Sequence, residues 1–368
     1  MSAQRDMAVD ATKGALILLI ILGHNTIILR NVDGLRQFLY NWHVYAFFLV
    51  AFMLPVRRYD WRSLLDRLTR YYVPFLVFFL LTTILALAVG GLQAWPQRLT
   101  AFVNGYLIGS AYWTESASGA RYFWFLPALA GLTLLRYAGR WAIDARVPRA
   151  LVALTALASF LLAGLTPEEV LRWTPFALPI ALYLVLPCLA FVALWRWLDQ
   201  AYQKQPGTTL AGVAATAAIL NAIAIISGST LILASLQVYS VAQPVELLLH
   251  AAIPIVNCAF LILLFRTGAG AKVFAFFGNH SLLIFLSHQI FFVALTRVMR
   301  AADVPPSLAA GLVVYGVVVA ASTLLAFVIA GIPILQRLII PRTWNEWRNT
   351  LHWGRNTRKS RDSAAAEN

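Results

Sequence analysis

Between Lys13 and Gln336 the sequence is a succession of apolar runs, each parted from the next by a few residues that hold most of the arginines. Crossing about 30 Å of hydrocarbon takes about 20 mostly apolar residues. Inside that layer every backbone polar group must be satisfied within its own segment, which makes each run a helix. Ten runs fit, near residues 13–30, 37–55, 72–92, 122–135, 150–165, 175–198, 209–227, 245–265, 282–296 and 308–336. The fourth is short and the seventh weakly apolar. Residues 95–113, interrupted by Pro96, Arg98 and Asn104, read as an interfacial segment. The expected fold class is therefore all-α, a polytopic membrane protein with about ten transmembrane helices. Residues 1–340 form one transmembrane domain and 341–368 a polar tail. The first run follows Arg5, Asp6 and Asp10 without a convincing small-residue cleavage site after it, so it is read as a retained span.

Only 12% of the residues are charged, about half the share usual in a soluble domain. A net charge of +14 in a single patch would point to nucleic acid, but here it is scattered between the runs, so no nucleic-acid partner is expected. With both termini placed in the cytoplasm, 22 of the 29 Lys and Arg fall on inner segments. That bias agrees with the positive-inside rule and with ten spans in a cell inner membrane. Cys188 and Cys258 both sit in apolar runs and read as structural, and no metal site is expected.

Ionisable groups within spans are costly and so are candidates for function. His24, His43, His250 and His288 each lie six to nine residues from the outer end of a run, roughly 10 Å deep at 1.5 Å per residue. Four imidazoles at one depth indicate a polar cavity open towards the outside. Lys13 lies eleven residues before His24, three turns away on the same helix face. A cation at the inner surface therefore stands below a buried imidazole. The following inner segment holds Arg57, Arg58, Arg62, Arg67 and Arg70. Such a cluster suits a cytosolic anion as well as it suits anionic lipid headgroups.

These features resemble the membrane-bound acyltransferase-3 family, whose first span begins Asp-x-x-Arg-Gly and ends at a His eleven residues after the Arg. Here Asp10, Gly14 and His24 are in register, with Lys13 in place of the Arg. Further likeness lies in His43 with Phe47 and Phe48, in Arg67-Leu-Thr-Arg70-Tyr-Tyr-Val-Pro74, in Trp124-Phe-Leu-Pro127, and in Gly278-Asn-His-Ser281 leading to His288. After Phe48 the family usually has Ser-Gly, where this chain has Ala51-Phe52.

The resemblance implies an enzyme that moves an acyl group, commonly acetyl, from cytosolic acyl-CoA to a hydroxyl of an extracytoplasmic or lipid-linked glycan. No permanently bound cofactor is implied. Catalysis falls to His24 as general base, with Asp10 and His43 in the same machinery. Lys13, Arg57, Arg58, Arg62, Arg67 and Arg70 would hold the CoA phosphates, and Asn25, His250 and His288 would face the acceptor. Two other classes stay open at this point. Histidines, Glu246 and prolines within spans also suit a proton-coupled transporter, and the departures at Lys13 and Ala51 suit an inactive, acyltransferase-like scaffold.

Overall fold

The computed structural model describes residues 6–351 except 57, 91–94, 145–147, 165–167 and 229–243, and among these every element is helical. In chain order they are α1 (Met7–His24), α2 (Thr26–Asn31), α3 (Leu35–Tyr40), α4 (His43–Met53), α5 (Trp61–Gly90), α6 (Trp95–Ile108) and α7 (Ala111–Ser118). A 3-10 turn at Arg121–Trp124 leads into α8 (Phe125–Asp144), followed by α9 (Arg149–Gly164), α10 (Glu168–Trp173) and a second 3-10 turn at Pro175–Ala177. The remainder are α11 (Leu178–Lys204), α12 (Pro206–Ile226), α13 (Pro244–Arg266), α14 (Ala271–Asn279), α15 (Ser281–Ala301), α16 (Leu308–Gly331) and α17 (Pro333–Ile339).

Seven of these helices are long and apolar enough to cross a membrane, so the chain is a multi-pass membrane protein, but the count of ten is not reproduced. Each of the ten runs is helical, yet three fall short as single spans. The second is broken at Asn41 and Trp42 into α3 and α4. The eleven residues of α4 reach only about 17 Å. The fourth, α8, carries Arg136, Arg140 and Asp144 in its C-terminal half, and the fifth, α9, has 16 residues. The interfacial stretch 95–113 is the pair α6 and α7. Large apolar side chains such as Ile219, Leu312, Val313 and Leu324 are exposed on α12 and α16, as a lipid-facing surface requires.

The central helix is α1, against which α4, α13, α14, α15 and α16 pack. Asp6 starts it, its carboxylate accepting from the amides of Ala8 (2.9 Å) and Val9 (3.4 Å), which satisfies two of the donors a helix start leaves open. Its N-terminal half is lined with Ala8, Ala11, Gly14 and Ala15, all buried, and small residues let helices approach closely in a membrane. At Gly14 the approach is at its limit. A Cβ there would lie 1.7 Å from the Phe274 carbonyl oxygen, and one on Gly278 would lie 1.8 Å from that of Asp10. The helices α1 and α14 thus cross backbone to backbone.

Asn25 ends α1. Its side-chain oxygen accepts from the Ile28 amide (3.1 Å) and opens α2, while its Nδ2 donates to the Gly311 carbonyl of α16 (2.8 Å). The first run is therefore a broken helix with His24 at the break. Inner segments that the charge rule groups together do converge on one end. Arg70 Nε donates to the Arg342 carbonyl (2.7 Å), the Trp344 amide donates to Asp66 (2.9 Å), and Ser63 pairs with Tyr137 (2.8 Å). Arg266 forms an ion pair with Asp199 at the same level of the alternation. From the opposite set of loops, Asn31 Nδ2 donates to the Pro306 carbonyl at 3.2 Å. The polar tail is fastened to α5 through Trp344, while residues 352–368 lie outside the described part.

Candidate active site

Three of the four histidines are brought close together by three helices. His24 closes α1, His43 opens α4, and His288 sits on α15. The His24 and His288 rings stand edge to face with centroids 5.0 Å apart. His43 Nε2 lies 3.0 Å from where a Cβ on Gly23 would be, so the glycine before His24 leaves room for that ring. Tyr40 adds its ring 5.4 Å from His43 and donates its hydroxyl to the Gly23 carbonyl at 3.0 Å. His250 is buried on α13, which also packs on α1.

The three tautomers follow from their partners. His24 Nδ1 meets the Ile20 carbonyl at 2.8 Å, His43 Nδ1 the Leu39 carbonyl, and His288 Nδ1 the Phe285 carbonyl at 2.5 Å. A carbonyl only accepts, so each Nδ1 carries the hydrogen and each Nε2 keeps a basic lone pair. His43 and His288 are buried, whereas His24 keeps part of its surface accessible. Of the three, His24 is therefore the least enclosed.

Asp10 and Lys13 are far from this cluster. Fourteen residues of helix, about 21 Å, separate Asp10 from His24, and the carboxylate instead pairs with Lys13 Nζ at 3.1 Å. Asp10, expected in the same machinery as the histidines, lies at the opposite end of α1 from His24 and is paired with Lys13. Asn25, expected at the acceptor, is a buried cap whose amide ties α2 and α16 together.

At the N-terminal end of α1, Asp10, Lys13, Arg67 and Arg70 stand at a cavity of about 920 Å³ whose lining is otherwise largely apolar and includes Phe47, Phe125 and Phe285. A second depression of about 620 Å³ adjoins it, sharing Pro55, Arg67 and Arg70 and adding Arg58 and Arg62. Arg67 donates to the Pro55 carbonyl at 3.2 Å and Arg70 to that of Arg342. These neutral acceptors anchor the two guanidiniums without cancelling their charge, and among the described residues neither is in an ion pair. The acids of the depression are otherwise engaged: Asp60 caps Ser63 and Asp66 accepts from Trp344. Four of the five expected arginines therefore face one anion-sized space. Arg57 lies outside the described residues.

Three contributors escaped the sequence reading. Tyr122 has its ring centroid 5.0 Å from His288 and 6.2 Å from His24, with its hydroxyl donated to the Leu286 carbonyl at 3.0 Å. Its nearness to Trp124-Phe-Leu-Pro127 was the available signal. Phe285 stands between the cavity and His288. Arg136 donates to the Leu54 carbonyl at 3.0 Å with its guanidinium 4.7 Å from the Phe52 ring centre, pinning the end of α4. Among the described residues no cluster of three metal-ligating side chains occurs.

A family model described as an acyltransferase domain, that of the acyltransferase-3 family, matches residues 7–331. Neither the comparison with curated proteins nor that with solved structures gives a match.

Proposed function

Since the chain belongs to the acyltransferase-3 family and on that ground is a membrane acyltransferase, we propose that its donor is acyl-CoA, acetyl-CoA in the simplest case, taken from the cytoplasm. The acceptor is a hydroxyl of an extracytoplasmic or lipid-linked glycan, and the basic end of the molecule faces the cytoplasm of a cell inner membrane. One observation carries this reading. A cavity lined by Lys13, Arg67 and Arg70 is lined also by Phe285, whose ring neighbours His288, itself 5.0 Å from the His24 ring.

In this scheme Arg58, Arg62, Arg67, Arg70 and Lys13 hold the phosphates, for which guanidinium forks give charge-assisted and often bidentate contacts. Asp10 orients Lys13. The pantetheine arm follows the apolar wall towards the histidines. His24 Nε2 removes the proton of the acceptor hydroxyl as its oxygen attacks the thioester carbonyl. The new C–O bond forms, the C–S bond breaks, and the CoA thiolate leaves with the proton that His24 returns. General-base catalysis of this kind contributes about 10²- to 10⁴-fold. The Lys13 ammonium at the cavity wall supports activity over a scaffold role, because the family's cationic charge is retained there.

The test uses the purified protein in liposomes with labelled acetyl-CoA and a membrane glycan extract. His24→Ala should lower transfer by about 10²-fold or more with CoA binding unchanged, and His43→Ala should give a partial loss. Near-normal turnover in His24→Ala, or no transfer from any acyl-CoA by the unaltered protein, would refute the reading.

A further inference from the structure

The cavity lined by Lys13, Arg67 and Arg70 is joined to the histidine cluster through aromatic rings. On α15, Ser281, Leu282 and Phe285 line the cavity, and His288 follows three residues after Phe285. Near the start of α8, Phe125, Leu126 and Leu129 line it, and Tyr122, three residues before Phe125, touches both His24 and His288. Two independent elements thus pass from cavity wall to histidine cluster in one turn, about 5 Å along a helix. Phe285 fills that step. It is 5% exposed, with its ring centroid 4.9 Å from Phe125, 5.4 Å from Tyr122 and 5.8 Å from His288. Phe125 is held behind it by Phe48 at 4.6 Å and Phe47 at 5.7 Å. A thioester arriving from the inner end therefore meets an aromatic ring before it meets an imidazole.

We propose that Phe285, backed by Phe125, is a specificity-determining partition that admits a short acyl group to His24, turns away a long chain, and keeps water from the thioester. The proposal rests on the acyl-CoA reading above. A group of acetyl size requires Phe285 alone to give way. A longer chain must also displace Phe125, and packed interiors resist such insertion. Water exclusion follows from the same rings. Without them, the oxygen of a water molecule attacks the carbonyl, the C–S bond breaks, and free acid and CoA thiol are released with no acceptor modified.

Two measurements test this. In the first, Phe285→Ala and Phe285→Leu are compared with the unaltered protein on acetyl-CoA and octanoyl-CoA. The octanoyl-to-acetyl rate ratio should rise roughly tenfold or more in Phe285→Ala, with faster thiol release in the absence of acceptor. An unchanged ratio together with unchanged thiol release overturns the proposal. The second measurement needs no turnover. His24→Cys is made alone and together with Phe285→Ala, and an impermeant thiol reagent is applied to the basic end in oriented vesicles; the native Cys188 and Cys258 are both buried. Modification is expected only in the double variant. Reaction of His24→Cys alone from that end, or no reaction in the double variant, overturns the partition. Failure of acyl-CoA as a donor would instead refute the acyl-CoA reading and leave the labelling result standing by itself.

Discussion

Replacing Gly14 by alanine should separate α1 from α14 and unfold the inner half of the protein first. The added Cβ would lie 1.7 Å from the Phe274 carbonyl oxygen, 2.7 Å from its carbon and 2.9 Å from the Gly278 nitrogen. An ordinary carbon–oxygen contact is about 3.3 Å or longer, so the helices must part by about 1.6 Å. All three obstructing atoms are backbone, and no side-chain rotation relieves them. Overpacking of a core costs about 1 to 3 kcal/mol where neighbours can shift, so about 3 kcal/mol is a lower bound here, a shift of roughly a hundredfold in the folding equilibrium. Gly278→Ala should behave alike, since its Cβ would meet the Asp10 carbonyl at 1.8 Å. Gly212, within α12, supplies the control: nothing lies within 4 Å of its Cβ. Gly212→Ala should be neutral or stabilising by up to about 1 kcal/mol through helix propensity alone. Unfolding by a denaturing detergent, followed by circular dichroism in mixed micelles, reads all three. Gly14→Ala with the stability of the unaltered protein would show that the close crossing is not what holds these helices, and the reasoning from contact distance would fall.

Lys13→Ala should weaken CoA binding by roughly tenfold, the loss of one charge-assisted contact worth about 1.5 to 3 kcal/mol, and Lys13→Arg should preserve it; unchanged affinity in Lys13→Ala by calorimetry would leave Lys13 as a headgroup anchor. Asp60→Cys and Asn349→Cys should both react with an impermeant thiol reagent from the cytoplasmic side only, since Trp344 is fastened to Asp66 on the same end. Reaction of either from outside the cell would overturn the orientation.

Relative height along the helices was legible in the sequence. A helix rises a fixed 1.5 Å per residue, so counting from the ends of the runs placed His24, His43, His250 and His288 at one level and Lys13 below His24, and the structure brings the first two and His288 close together while His250 sits apart on α13. The same count, applied to Asp10, already separates it from His24 by the length of α1; only the family motif had joined them. The seam between α1 and α14 was half legible, because Gly14 and Gly278 stand in recognisable motifs while their mutual contact does not follow from either one. What only the tertiary structure decided is facing: that His288 meets His24, that Tyr122 and Phe285 stand beside them, and that Asn25 is a cap turned to Gly311. In a soluble protein a polar face marks which side of a helix looks outward. In a bilayer the lipid and the protein interior both favour apolar side chains, so helices such as α12 and α16 show no distinct polar face. Their rotation is set by close packing and by hydrogen bonds between distant residues, which exist only once the neighbours are in place.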